Sequence, residues 1–293
     1  MQINKESDFV IAADIGGSHI TVALCDSNNN SVLPETVVRL HVDSAGTKDH
    51  ILSAWTNAFK EVADKANLPV AGLAVAMPGP FDYKNGVSYI TGLSKYESIY
   101  GLDIKSHLAG NLDIDKQLIC FRNDAESTIA GEVIAGAGAG YQRIIGITLG
   151  TGFGSAFADQ TTVTDLNLGS DPYKDSIADN FFSTRWFVNR YYQLTGEVLT
   201  DGVKQLAGMN TYVASTIFEE FADALSAFLI KPVFRLQPQV LVVCGNIAKA
   251  YKYFLPRVMD SLQPLEIKVA KLDEHAPLLG ATAKFKRLSA QNS

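Results

Sequence analysis

Residues 9–26 read FVIAADIGGSHITVALCD, and residues 143–159 read RIIGITLGTGFGSAFAD. Each is an apolar, β-rich run, a glycine-bearing turn and a second apolar run, which is the pattern of a hairpin. Placing Asp14 over Thr148 brings Val10-Ile11 onto Ile144-Ile145, Gly16 onto Gly150, Gly17 onto Thr151 and Ser18 onto Gly152. Short glycine motifs recur freely, so the echo by itself leaves coincidence open. A duplicated domain with a cleft between the copies explains it economically.

Outward from the hairpins, strand and helix patterns alternate. Residues 48–66 place Ile51, Leu52, Trp55, Phe59, Val62 and Ala63 on one helical face. Residues 70–77 form a continuous apolar run stopped by Pro78-Gly79-Pro80, as suits a strand buried on both faces. A short helix is expected over 103–109, a strand over 117–121 ending at Asn123-Asp124, and a helix over 125–135. In the second half, helices are expected over 176–194, 212–234, 247–262 and 277–288, and strands over 239–244 and 267–272. The class is therefore α/β. Two domains are expected, 1–120 and 121–293, with a C-terminal helix at 277–290 packing back on the first.

The chain has 293 residues, 47% of them hydrophobic and 19% charged, with a formal net charge of −6. There is enough apolar material for real cores, and no global positive field to hold a nucleic-acid backbone. The first eight residues are polar, and apolar stretches are interrupted well short of a membrane span, so neither a secretory signal nor membrane insertion is expected. Cys25, Cys120 and Cys244 each sit in a strand-like run and read as buried thiols, which points to a reducing, cytoplasmic setting. The five histidines are scattered without metal-ligand spacing. The aromatic residues of 180–192 have the helical spacing of a core face rather than a sugar-stacking platform; left exposed, they would offer a homodimer contact.

Four places can carry chemistry. At Asp14-Ile15-Gly16-Gly17-Ser18, a glycine pair permits positive φ and removes Cβ atoms, so backbone N–H groups can face phosphate oxygens. Asp14 beside that nest can hold a hydrated Mg²⁺; a plain hairpin turn is the competing reading. Gly150-Thr151-Gly152 is a second such turn. No Gly-Lys-Ser/Thr follows it, and a strand rather than a helix comes next, so it is neither a Walker loop nor a dinucleotide fingerprint. Asn123-Asp124 closes a strand before a helix, where a carboxylate can take the proton of an attacking hydroxyl or simply cap the helix. Gly245-Asn246 ends a further strand, where a glycine lets an adenine or ribose approach the backbone or merely serves a tight turn.

Taken in order, DIGGS, MPGP, RNDAES, LGTGFGS, VCGN and LLGA make the chain resemble the ROK family of sugar kinases and repressors, within the actin, sugar kinase and heat-shock chaperone superfamily. The resemblance implies two actin-like (ribonuclease H-like) domains with an interdomain cleft. It implies an ATP-dependent kinase acting on a small-molecule sugar, a hexose or hexose derivative, with Mg²⁺. Asp124 would be the general base, and Asn123 would contact a sugar hydroxyl. Pro78 and Gly79 would shape the sugar pocket, and Asp14 would organise Mg²⁺ through water. Gly16, Gly17, Ser18, Gly150, Thr151 and Gly152 would cradle the phosphates, and Gly245 and Asn246 would border the adenosine.

The sequence departs from the family pattern in two places. Where many members have Gly-Glu-x-Gly-His, this chain has Asn167-Leu168-Gly169-Ser170-Asp171-Pro172-Tyr173, and a closely spaced cysteine cluster is missing, so no structural zinc is expected. The sugar-facing stretch 92–108 offers Ser94, Lys95 and Tyr96 in place of the usual Asn. Residues 1–13 are too few for the helix-turn-helix of the repressor branch. The altered sugar region keeps a non-catalytic sugar sensor as the alternative.

Overall fold

The computed structural model describes residues 1–92, 95–159 and 162–291, with backbone alone from 287. Its contacts divide the chain into two units, Met1–Ala135 with Glu274–Ser293, and Gly136–Asp273.

The first unit begins with the antiparallel pair β1 (Phe9–Ile15) and β2 (His19–Asp26), with Asp14 opposite Thr21 and Ile15 opposite Ile20. Strands β3 (Ser31–Val32) and β4 (Val38–His41) both join β2. Helix α1 (Lys48–Ala66) leads to β5 (Leu73–Met77), which runs parallel to β1. A small hairpin, β6 (Phe81–Asp82) and β7 (Val87–Ser88), precedes α2 (Ile104–Leu112). Then β8 (Ile119–Asn123) pairs parallel with β5 and passes directly into α3 (Asp124–Ala135). The sheet order is β3-β2-β1-β5-β8, with β4 also on β2.

The second unit repeats this plan. It opens with β9 (Ile144–Leu149) and β10 (Phe153–Ala158), to which β11 (Val163–Asp165) adds. A short hairpin of β12 (Pro172–Tyr173) and β13 (Ser176–Ile177) follows. The helices are α4 (Ala178–Phe181), α5 (Thr184–Thr195), α6 (Gly202–Ala207) and α7 (Tyr212–Leu236). Strand β14 (Val240–Cys244), helix α8 (Tyr251–Ser261) and strand β15 (Glu266–Val269) complete it. The sheet order is β11-β10-β9-β14-β15, so β9 stands to β14 as β1 stands to β5. The chain then returns to the first unit as α9 (Ala276–Gln291).

Helix α1 shows how local sequence sets an element. The Thr47 hydroxyl accepts the His50 N–H at 3.3 Å to open it, and Asn67 in the left-handed region closes it. Its apolar stripe buries Trp55, Phe59 and Val62 completely, each such side chain contributing about 1.5–3 kcal/mol of burial. Helix α9 lies against α3 and against β1, β5 and β8. Close approach decides its glycine: a Cβ on Gly280 would stand 1.8 Å from the Ser127 carbonyl oxygen, and one on Gly131 would stand 2.0 Å from that of Ala276. The buried Arg122 guanidinium locks the same contact. It pairs with Glu126 at 2.8 Å and donates to the Gly280 carbonyl at 3.0 Å.

Three expectations change. The helix expected over 176–194 is broken at Phe182-Ser183 after a two-residue strand and a short helix, because the Asp179 carboxylate turns back to take the Phe153 N–H at 2.7 Å. The division expected after residue 120 falls inside β8, and the contacts divide the chain after Ala135 instead. Strands β3, β4, β6, β7, β11, β12 and β13 and helix α6 are additions. The aromatic residues of 180–192 mostly enter the second core, where Phe182 and Phe187 are fully buried, while Tyr192 is exposed. All three cysteines are buried, and no disulfide joins them. Among the described residues no helix is long and apolar enough to cross a membrane.

Candidate functional site

In the first unit, the carboxyl ends of β1, β5 and β8 bring Asp14, Pro78-Gly79 and Asn123-Asp124 to one end of the sheet. The turn after β1 is closed by the Gly16 N–H donating to the His19 carbonyl at 2.9 Å. Neither Gly16 nor Gly17 has positive φ, so the conformational reason expected for this pair does not apply. Space is the reason that remains. Nothing lies within 4 Å of an added Cβ at Gly17, and Gly17 and Ser18 are exposed.

Asp14 is partly covered in dense surroundings. Its carboxyl is pushed up to about 7, first by desolvation, then by the negative charge of Asp124; Arg39 works in the opposite direction and Glu274 adds to the rise. Arg39 stands in the same cross-strand row, opposite Thr21, which is opposite Asp14. Its Nη1 donates to Glu274 at 2.6 Å. Sequence reading missed Arg39, whose only local signal is a basic residue between the apolar Val38 and Leu40 of a short strand.

Asn123 and Asp124 divide two tasks. The Asn123 side-chain oxygen accepts the Glu126 N–H at 3.0 Å, so Asn123 rather than Asp124 provides the helix cap. The Asn123 Nδ2 donates to the Tyr83 hydroxyl at 3.1 Å, which in turn donates to the Met77 carbonyl at 3.1 Å. Asp124 is half-buried in the first turn of α3, and one oxygen accepts the Ala125 N–H at 2.9 Å. Pro78 is buried, and Gly79 lies over Tyr83, where an added Cβ would sit 3.0 Å from the hydroxyl. Tyr83 is thus a central member that sequence reading missed. The signal was a turn: Asp82 accepts the N–H groups of Lys84 and Asn85, both at 3.0 Å, and Gly86 takes positive φ, which aims Tyr83 inward. In the stretch 92–108, Tyr96 is buried and hydrogen-bonded to Gly16, Lys95 is half-buried and Ser94 lies outside the described residues.

The second unit holds the other turn. Nothing lies within 4 Å of an added Cβ at Gly150, and Thr151 and Gly152 are exposed. The Gly150 carbonyl accepts both the Thr184 N–H at 2.8 Å and the Thr184 hydroxyl at 3.0 Å. Beside it is a cavity of about 540 Å³, lined among others by Thr184, Asp201, Lys204, Asn246, Ile247 and Lys249. That size suits a nucleoside. Asn246 therefore borders a cavity, whereas Gly245 does not leave the backbone open. Its φ is +91°, and an added Cβ would stand 2.4 Å from the Leu149 carbonyl oxygen. Glycine there serves the tight passage from β14 past β9. The segment 198–207 that closes the cavity carries no motif and was not anticipated.

A glucokinase of Thermotoga maritima is 22% identical over 317 aligned positions, covering 94% of this chain and 97% of that protein. The solved ROK family glucokinase from Streptomyces griseus, in complex with glucose and AMPPNP, superposes with a TM-score of 0.77 at 19% identity, covering 95% of this chain and 99% of that one. A ROK family transcriptional regulator, a homolog of the E. coli MLC protein, superposes with a TM-score of 0.80 at 14% identity, covering 98% of this chain and 80% of that one. The fold is thus the α/β, two-domain actin-like fold of ROK sugar kinases. The ROK family model matches residues 10–164, more than half of the sequence, and the chain belongs to that family.

Proposed function

We propose that this protein is an ATP-dependent sugar kinase, moving the γ-phosphoryl group of MgATP to a hydroxyl of a hexose or hexose derivative. The observation that carries the reading is the pair Asp14 and Asp124, two carboxylates at one sheet end close enough for one charge to raise the pKa of the other. Asp124 takes the proton of the attacking hydroxyl on its carboxylate. Asn123 and the Tyr83 hydroxyl behind it orient the sugar, with Pro78 and Gly79 shaping its pocket. The Gly16–Ser18 and Gly150–Gly152 amides bind phosphate oxygens and stabilise their spreading charge. Asn246 and the cavity beside it take the nucleoside.

The surroundings of Asp14 fit a cation: two interacting carboxylates beside an open glycine turn. Among the described residues no three His, Cys, Asp or Glu side chains cluster as a direct metal site. Asp14 would therefore hold magnesium with water and phosphate oxygens as the other ligands, and the ion would neutralise phosphate charge.

The kinase relatives and their sugar and nucleotide ligands support this reading, and the glucokinase name makes glucose the first sugar to try. A coupled ADP-release assay with MgATP and a panel of hexoses, N-acetylhexosamines and their phosphates tests it. Sugar-dependent release is the expected result. Saturable sugar binding without ADP release would turn the assignment to a sensor, the role that the transcriptional-regulator relative makes the natural second choice.

A further inference from the structure

We propose that Tyr96 is a positioning residue that sets the phosphate-facing turn at Gly16-Gly17-Ser18; the inference rests on the kinase reading above. Tyr96 is fully buried, and its ring packs on Trp55 with centroids 5.3 Å apart. Its backbone has φ of +58°, uncommon for a bulky residue, and its N–H donates to the Ser44 carbonyl at 2.6 Å. Ring and backbone are both pinned, and the hydroxyl donates to the Gly16 carbonyl at 2.5 Å.

That carbonyl is the informative partner. In a trans peptide the C=O and the following N–H point in opposite directions. Holding the Gly16 oxygen toward Tyr96 therefore turns the Gly17 N–H away from that contact, and Gly17 itself is exposed. The second hairpin has the same arrangement with different parts. The Gly150 carbonyl, at the position equivalent to Gly16, is held by the Thr184 N–H and hydroxyl, which turns the Thr151 N–H outward. Two copies thus hold the same carbonyl through unrelated segments. This is what an anion-facing amide requires and a plain turn does not. Tyr96 also lies in the stretch expected to face the sugar, so it ties that stretch to the phosphate side.

Tyr96→Phe keeps ring and burial and removes only the hydroxyl. Binding of MgAMPPNP by calorimetry is expected to weaken roughly 5- to 30-fold, the range for loss of one well-placed hydrogen bond, with sugar affinity unchanged. Val62→Ala, in the same core, is the control for general loosening and should lower thermal stability without weakening MgAMPPNP binding. Wild-type affinity in Tyr96→Phe, or equal weakening in Val62→Ala, would overturn the proposal. If the wild type binds MgAMPPNP yet releases no ADP with any sugar, the kinase reading fails and the binding comparison still judges Tyr96. No MgAMPPNP binding by the wild type overturns both.

Discussion

The Asp14 carboxyl is held up to about 7 by burial and by the facing charge of Asp124, so these two residues cannot both be ionised without cost in the ligand-free protein. A kinase site gains from that arrangement. The repulsion is relieved when a cation or a protonated substrate group enters, so part of the binding selectivity is set before any ligand arrives.

Asp124→Asn keeps the shape of the first turn of α3 and removes the base. Turnover should fall about 10²-fold or more, with MgATP affinity and melting temperature close to wild type. Steady-state kinetics beside nucleotide calorimetry decides it, and an unchanged rate removes Asp124 from the mechanism.

Asp14 has a consequence for stability. Between the unfolded carboxylate value near 4 and the folded value of about 7, the native state holds a proton that the unfolded chain has lost. Stability from this group is therefore full at low pH and declines as pH rises through that window. Asp14→Asn lacks the decline. Urea unfolding should find the variant near wild type at pH 4.5 and more stable by roughly 1–3 kcal/mol at pH 8, while its kinase activity is lost. A difference that does not grow with pH would show that Asp14 is not desolvated.

Tyr83→Phe leaves the Asn123 amide and the Met77 carbonyl without their shared partner. Stability should drop by about 1 kcal/mol. The KM for sugar should rise about 5-fold or more, because the Asn123 side chain is no longer held, with the KM for ATP unchanged. A rise confined to ATP would place Tyr83 on the wrong side of the reaction.

Gly280→Ala separates packing from helix propensity. In an exposed helix that change gains up to about 1 kcal/mol. Here the new methyl would meet the Ser127 carbonyl, and α9 would have to move off α3. A loss of about 1–3 kcal/mol or more is expected in urea unfolding. A neutral or stabilising result would mean that the two helices are not in this close contact.

How much could be read before folding depended on how local each cause was. Helix α1 spans Lys48–Ala66, as its apolar stripe indicated, and both hairpins lie where their β-rich runs placed them. The break at Phe182-Ser183 was invisible, since it follows from Asp179 reaching the Phe153 amide 26 residues away. Tyr83 looked like an ordinary aromatic, and Tyr96 was noted only for the sugar-facing stretch, because their hydroxyl partners, Asn123 and Gly16, are remote in sequence.

Period, turn chemistry and internal repetition, all short-range properties, were enough for the α/β class, the duplicated sheet plan and the identity of Asp14, Asn123 and Asp124 as residues of interest. Everything about how those residues are charged and held came from packing: the raised pKa of Asp14, the capping duty of Asn123 and the carbonyls that fix each glycine turn. Desolvation and hydrogen-bond direction depend on neighbours brought together across the sheet, and sequence spacing does not record them.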